Sequence, residues 1–375
     1  MSKLNINRLT NENEDGAPRI SGISTFSSTA FFEPPKGTTA QRPEFVQPGM
    51  IRFNTDGGHL EYYNGVEWTE VLVANNSLDG AARGLFGGGD QSTPLANTID
   101  YVTISSLGNA ADFGDLSAQT EIPGACASST RGIFGGGRSP ATLNLSTISY
   151  VTISSTGNST SFGSLSSGRR APGGASSSVR GIFGGGINPG ITNIIDYITI
   201  SSEGNAVDFG DLSQSRRAPS SSASSTRAIY CGGLSTAPAT TSNVIDYITI
   251  STTGDAIDFG DLIESQFAGG ACSNSTRALI GGGLTPSLIN SIVFLTIAST
   301  GNAQDFGDLI SPTGSLSSCS SPTRGVWAGG YISPTTQVNT INYVTILSTG
   351  NAIDFGDLTQ ARLGLAACSN GHGGL

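Results

Sequence analysis

Apolar residues along most of this chain come in short bursts, rich in β-branched and aromatic side chains and broken by glycine, serine and asparagine. Residues 170–212 show one full cycle. Small residues (Ala171, Pro172, Gly173, Gly174, Ala175, Ser176) lead to Arg180-Gly181-Ile182-Phe183 and then to Gly184-Gly185-Gly186. A polar loop with a proline follows, and after it the run Ile194-Ile195-Asp196-Tyr197-Ile198-Thr199-Ile200. A turn at Gly204-Asn205 leads into Ala206-Val207-Asp208-Phe209-Gly210-Asp211-Leu212. The pattern predicts four short strands: a small-residue strand, a strand ending in a glycine triplet, a β-branched strand carrying Tyr, and an outer strand with Phe. The turn calls for φ > 0 at Gly204 and Asn205.

The cycle is written six times. Its Arg-led phrase begins at Arg83, Arg131, Arg180, Arg227, Arg277 and Arg324, with steps of 48, 49, 47, 50 and 47 residues. Its closing phrase, Asp-Phe-Gly-Asp-Leu in most copies, places a Phe at Phe113, Phe162, Phe209, Phe259, Phe306 and Phe355. A period near 50 with short strands predicts a propeller, in which each unit packs only on its neighbours. The first copy lacks a small-residue strand, whereas the chain finishes with Leu365-Ala366-Ala367-Cys368-Ser369, which matches one. That strand is expected to complete the first copy, giving six blades over residues 80–375 and a ring without an open interface.

The order of strands resembles the kelch repeat, with Phe standing where that family carries Trp. The resemblance implies an all-β fold: a six-bladed kelch-like β-propeller of four-stranded blades, ring closed by the C-terminal strand. It also implies that Phe113, Phe162, Phe209, Phe259, Phe306 and Phe355 pack between blades.

The chain has 375 residues, net charge −10, 52 Gly and 12% charged residues, with lysine only at Lys3 and Lys36. An acidic repeat region without lysine argues against nucleic acid, whose phosphates need clustered cations. No apolar run is long enough to cross a membrane, and residues 1–8 show no signal-peptide pattern. The five cysteines, Cys126, Cys231, Cys272, Cys319 and Cys368, are odd in number and lack CxxC spacing. They predict free thiols in a chain made in a reducing cytoplasm.

Each motif carries a sharp reading and a plain one. Asp-Phe-Gly holds magnesium in kinases, but here it recurs in every copy without the partner motifs, so Phe is read as packing. The flanking Asp112 and Asp115 are expected to accept backbone N–H bonds. The glycine triplets lack the Lys-Ser/Thr of a phosphate loop. Tyr101, Tyr150, Tyr197, Tyr247, Phe294 and Tyr343 share one position and are read as core. Cys126, Cys272, Cys319 and Cys368 fall on innermost strands, where a thiol ring could hold a soft metal or simply fill space; the second reading is favoured. Arg169, Arg170, Arg216, Arg217 and Arg362 form a candidate anion-binding rim, or bond to loop carbonyls and carboxylates. His59 and His372 lie in different modules, so no Ser-His-Asp constellation forms. No catalytic residue, cofactor or metal site is expected, and the chain is read as no enzyme.

Residues 1–75 lie outside the repeat. Pro34-Pro35-Lys36-Gly37-Thr38-Thr39 and Arg42-Pro43 favour extended chain without helix. From Gly49 to Trp68, turn signals at 54–57 and Asn64-Gly65 separate alternating strands, whose core is expected at Ile51, Phe53, Leu60, Tyr62 and Trp68. The phrases Gly-x-Ile-Arg-Phe-Asn-Thr-Asp, Leu-Glu-Tyr-Tyr-Asn-Gly and Trp resemble a hairpin module of bacteriophage tail fibres and other virion proteins. The leader and the Ile-Ser-Ser-Thr-Gly-Asn-Ala phrases are similar to structural proteins of marine cyanobacterial phages. This implies a non-enzymatic virion structural protein of neck, tail or capsid, made in the host cytoplasm. An extended anchor at 1–45 would carry Ile20, Ile23, Phe26, Phe31, Phe32, Pro34 and Pro35, followed by a β-hairpin module at 46–75. It implies other virion proteins as partners and a homo-oligomer, with neither nucleic-acid binding nor membrane insertion. The alternative is a host receptor- or glycan-binding tail-fibre protein. Its surface would be the loops 90–96, 138–143, 187–192, 234–241, 284–289 and 331–337.

Overall fold

A computed structural model describes residues 34–56, 58–70, 82–91, 94–235, 240–334 and 336–375. The chain forms two compact units, Met1–Asn75 and Asn76–Leu375.

In the first unit, Ile51–Asn54, His59–Tyr63 and Trp68–Glu70 form an antiparallel meander, and Lys36–Gly37 adds in parallel beside Ile51–Asn54. The segment expected to be wholly extended contains a 3₁₀ turn at Thr39–Gln41, where Gln41 Oε1 accepts the Thr38 N–H at 2.9 Å. The buried side chains are not the expected ones. Arg52, Asn54 and Glu61 are buried, whereas Ile51 is 52% and Tyr62 37% exposed; Phe53, Leu60 and Trp68 are half-buried. Glu61 accepts from Arg42 Nη2 at 2.6 Å, Arg52 Nη1 at 3.0 Å and Asn54 Nδ2 at 3.2 Å. A buried carboxylate is tolerated when its oxygens are satisfied this fully. The Arg42 bond holds the Glu61 carboxyl below its ordinary range, against the effect of burial. Of the anchor candidates, Ile20, Ile23, Phe26, Phe31 and Phe32 lie outside the described residues. Pro34 is half-buried and Pro35 exposed, and the Pro35 carbonyl accepts the Phe53 N–H at 2.7 Å.

The second unit is all-β and propeller-like, made of four-stranded antiparallel sheets. Repeat 3 is typical: an inner strand Gly173–Ser176, a second Arg180–Gly184, a third Ile194–Thr199 and an outer Val207–Asp211, hydrogen-bonded in that order. Ala366–Ser369 pairs with Arg83–Gly87, Cys368 opposite Leu85, and so serves as the inner strand of repeat 1. Several loops after the glycine triplets carry pairs of their own, such as Leu284–Thr285 with Ser287–Leu288.

Apolar clusters lie between consecutive sheets. Phe113 packs with Leu85 and Ile99 of its own repeat and with Phe134, Val151 and Ile153 of the next. The six Phe of the closing phrase are all nearly fully buried, and each meets the aromatic ring of its third strand edge-on, as Phe209 meets Tyr197 at 5.8 Å. The glycine after Phe is required twice. Gly210 has φ +143°, and a Cβ there would lie 2.5 Å from the Gly254 carbonyl of the next repeat. This approach lets the next turn dock: Gly254 donates to Phe209 O at 2.8 Å, and Asp255 Oδ1 accepts the Asp211 N–H at 3.0 Å. In repeat 1 the acceptor of the Asp115 N–H is Asn158 of the next turn, where Asp112 and Asp115 themselves were expected to accept. Gly204 takes φ > 0 as expected; Asn205 does not.

Candidate functional site

Residues from all six inner strands line an axial cavity with an outer chamber of about 130 Å³ and an inner one of about 50 Å³. The outer mouth is built from one residue of each repeat: Ile122, Ala171, Ala218, Ala268, Ser315 and Gly364. All six are left-handed, the five non-glycine members with φ between 48° and 56°. That conformation costs a non-glycine residue about 1 kcal/mol. It is held by a series of backbone bonds. Ala171 donates to Ile122 O, Ala218 to Ala171 O, Ala268 to Ala218 O, Ser315 to Ala268 O and Gly364 to Ser315 O, at 2.9–3.1 Å. Ile122 then donates to Gly364 O at 2.6 Å, which returns the series to its first member.

The candidate anion rim divides in two. Arg169, Arg216 and Arg362 are fully buried and pair with Asp196, Asp246 and Asp100 of the following sheet at 3.0, 2.6 and 3.0 Å. Burial lowers all three guanidinium pKa values, and the Asp partners oppose the shift. Ser166, Ser213 and Thr359 complete each Asp through a backbone N–H and a hydroxyl. These three arginines therefore bridge sheets, which is the carboxylate-and-carbonyl role weighed against a rim. Arg170 and Arg217 are half-buried beside the mouth, Arg170 Nη1 bonding Asn144 Oδ1 at 3.0 Å. At the other three interfaces the Arg and Asp positions hold Thr120 with Ser149, Gln266 with Val293, and Thr313 with Asn342. Arginine and aspartate occur together or not at all, a signal within the sequence that identified the arginines but not their partners.

The four inner-strand cysteines line the inner chamber, but their sulfurs pack across the interfaces between sheets. Cys126, Cys319, Cys368 and Cys272 sit in the apolar layers between sheets, each against a glycine of the next second strand: Gly181, Gly84, Gly132 and Gly325. Burial pushes every cysteine thiol up, Cys231 and Cys368 to about 12. Among the described residues no group of three or more His, Cys, Asp or Glu could hold a metal.

A second set of residues escaped sequence reasoning although it opens every copy. Arg83, Arg131, Arg180, Arg227, Arg277 and Arg324 each stack on the aromatic ring of the third strand, with centroid distances of 4.4–5.0 Å. Each also donates to a carbonyl of the next repeat, as Arg180 does to Ile250 O at 2.8 Å and Arg324 to Ile104 O at 2.9 Å. The shared Tyr position is thus half a core contact and half a platform for an inter-sheet clamp.

No protein-family model matches this chain, and no curated protein matches it.

Proposed function

We propose that the protein is a non-enzymatic virion structural protein of a tailed bacteriophage. In this reading it is a six-bladed kelch-like propeller closed by Ala366–Ser369, anchored through residues 1–45 and projecting outward as a neck, tail or capsid appendage. The returning series of mouth hydrogen bonds supports the closed six-bladed reading. The functional half rests on the hairpin phrases of residues 49–68 and on how the repeat spends its chemistry. The arginines that open every copy, and the three paired with aspartate, are committed to clamps and buried pairs, so these positions add rigidity to each unit. A rigid, anchored, many-copy appendage with other virion proteins and copies of itself as partners is consistent with that design.

One observation favours the alternative of a host receptor- or glycan-binding tail fibre. The variable loops start beside the outer mouth, through bridges such as Arg170 with Ile187, Phe267 with Leu284 and Leu363 with Asp90. They would present one polar surface around that opening.

Cryo-electron microscopy and mass spectrometry of purified particles from the source test the proposal. The expected result is this chain in stoichiometric amounts, with density for its leader against another virion protein. Absence of the chain from particles overturns the virion reading. Binding of the isolated protein to host envelope, abolished by changes in the mouth loops, would select the attachment role.

A further inference from the structure

Beyond the inner strand Ala366–Ser369, residues 370–375 turn across the end of the axial cavity far from the left-handed mouth. His372 Nε2 lies 2.9 Å from Ala127 O and 3.3 Å from Ser176 Oγ; Gly373 N–H donates to Ser273 O at 2.8 Å. The glycines make the fit. A Cβ on Gly371 would lie 2.6 Å from Ala82 Cβ, and one on Gly373 would strike the Asn274 and Ala223 carbonyls. One on Gly374 would strike the Ser176 carbonyl. Inner strands at this level are otherwise stitched by serine: Ser176 to Ala127 O, Ser273 to Ala223 O, Ser320 to Ser273 O and Ser369 to Ser320 O. The two equivalent positions without a hydroxyl are Ala127 and Ala223, and the segment lies against both.

The hydrogen bonds fix the histidine's protonation. Gly374 N–H donates to His372 Nδ1 at 3.0 Å, so Nδ1 carries the lone pair and Nε2 the proton given to Ala127 O. Protonating Nδ1 would set two donors against each other and place a cation on a half-buried ring. Ala127 and Ser176 against the ring, and Ala223, Ser273 and Asn274 against the neighbouring Gly373, bring no charge; Cys126, Cys272, Cys319 and Cys368, which line the same chamber, are thiols held neutral by burial.

We propose that residues 371–375 are a proton-operated latch on this end of the cavity, docked while His372 is neutral and released when Nδ1 takes a proton. Burial, with only the Ala127 bond opposing it, lowers the His372 pKa from 6.5. The docked state is therefore at full strength above about 6.5 and weakens as pH falls below it, with the opening constant rising up to about tenfold per pH unit.

Hydrogen exchange of the full chain, followed at residues 370–375 from pH 8 to pH 5 and corrected for intrinsic rates, tests this. Protection at Gly373 and Gly374 should fall across that range while the inner strands stay protected. In His372→Gln, which cannot titrate, any remaining protection should be independent of pH. The wild-type imidazole should titrate below 6.5 by NMR. Constant protection, a midpoint at or above 6.5, or loss of the inner strands at the same pH as the latch overturns the proposal.

Discussion

The interface between repeats 2 and 3 permits a sharp test of how the sheets recognise one another. A Cβ on Gly181 would lie 2.6 Å from Cys126 Sγ and 3.1 Å from Ile198 Cγ1, well inside the roughly 3.5 Å at which such atoms begin to repel. Gly181 does not occupy the left-handed region, so alanine there meets no backbone penalty and recovers about 0.5–1 kcal/mol of strand propensity. Overpacking costs about 1–3 kcal/mol, so Gly181→Ala should destabilise by about 0.5–2 kcal/mol. Cys126→Ala alone leaves a sulfur-sized gap and should cost about 1 kcal/mol. Combined, the two rebuild a pair the protein already uses, because the equivalent positions at the next interface are Ala175 and Ala228, both buried in one cluster. The double variant should therefore lie close to wild type, with a coupling of about 1.5–3 kcal/mol in a double-mutant cycle by urea unfolding. Additivity within about 0.5 kcal/mol would show that the thiol does not fill the space left by the missing methyl, and would refute size-matching between sheets.

Three further outcomes are expected. Arg216→Met leaves Asp246 buried without its cation and should cost about 3–5 kcal/mol; adding Ser213→Ile and Asp246→Val, the composition around Gln266, should recover most of it in the same unfolding assay. Ala218→Gly relieves a left-handed alanine and should stabilise by about 0.5–1 kcal/mol, seen as a raised urea midpoint. All five thiols should resist a disulfide reagent at pH 8 in the native protein and react promptly after denaturation, since burial raises their pKa values.

What could be read from the sequence was whatever repeats within one copy. Strand content, the turns and the pairing of Ala366–Ser369 with Arg83–Gly87 all follow from local propensity and from a phrase recurring at a fixed period. What stayed hidden was encoded between copies. Arg169 meets Asp196 and Cys126 meets Gly181 across an interface, so neither pair appears when one copy is read alone. The left-handed mouth was masked because five of its six members are not glycine, and a bond from the neighbouring sheet, rather than residue type, holds Ile122 there. In the first unit, alternation correctly gave two faces to the hairpin but not which one is covered. Ile51 and Tyr62 marked the apolar face, yet Glu61, Arg52 and Asn54 are the buried ones because they satisfy each other.

The same between-copy logic explains how nearly identical sheets keep their order. An interface that carries a buried Arg–Asp pair would leave an uncompensated charge if its sheet docked against one lacking the partner, a penalty of several kcal/mol. The pairs fall at the interfaces of Arg362 with Asp100, Arg169 with Asp196 and Arg216 with Asp246, and not at the other three. The aromatic layer adds a second code. Gly135 leaves room for Phe183, Gly184 for Tyr230 and Gly281 for Trp327, whereas Cys231 lies in the same cluster as the smaller Ile280. A sheet inserted out of turn would therefore meet a wrong charge or a wrong volume, and small departures from perfect repetition are what give an array of near-identical sheets a single arrangement.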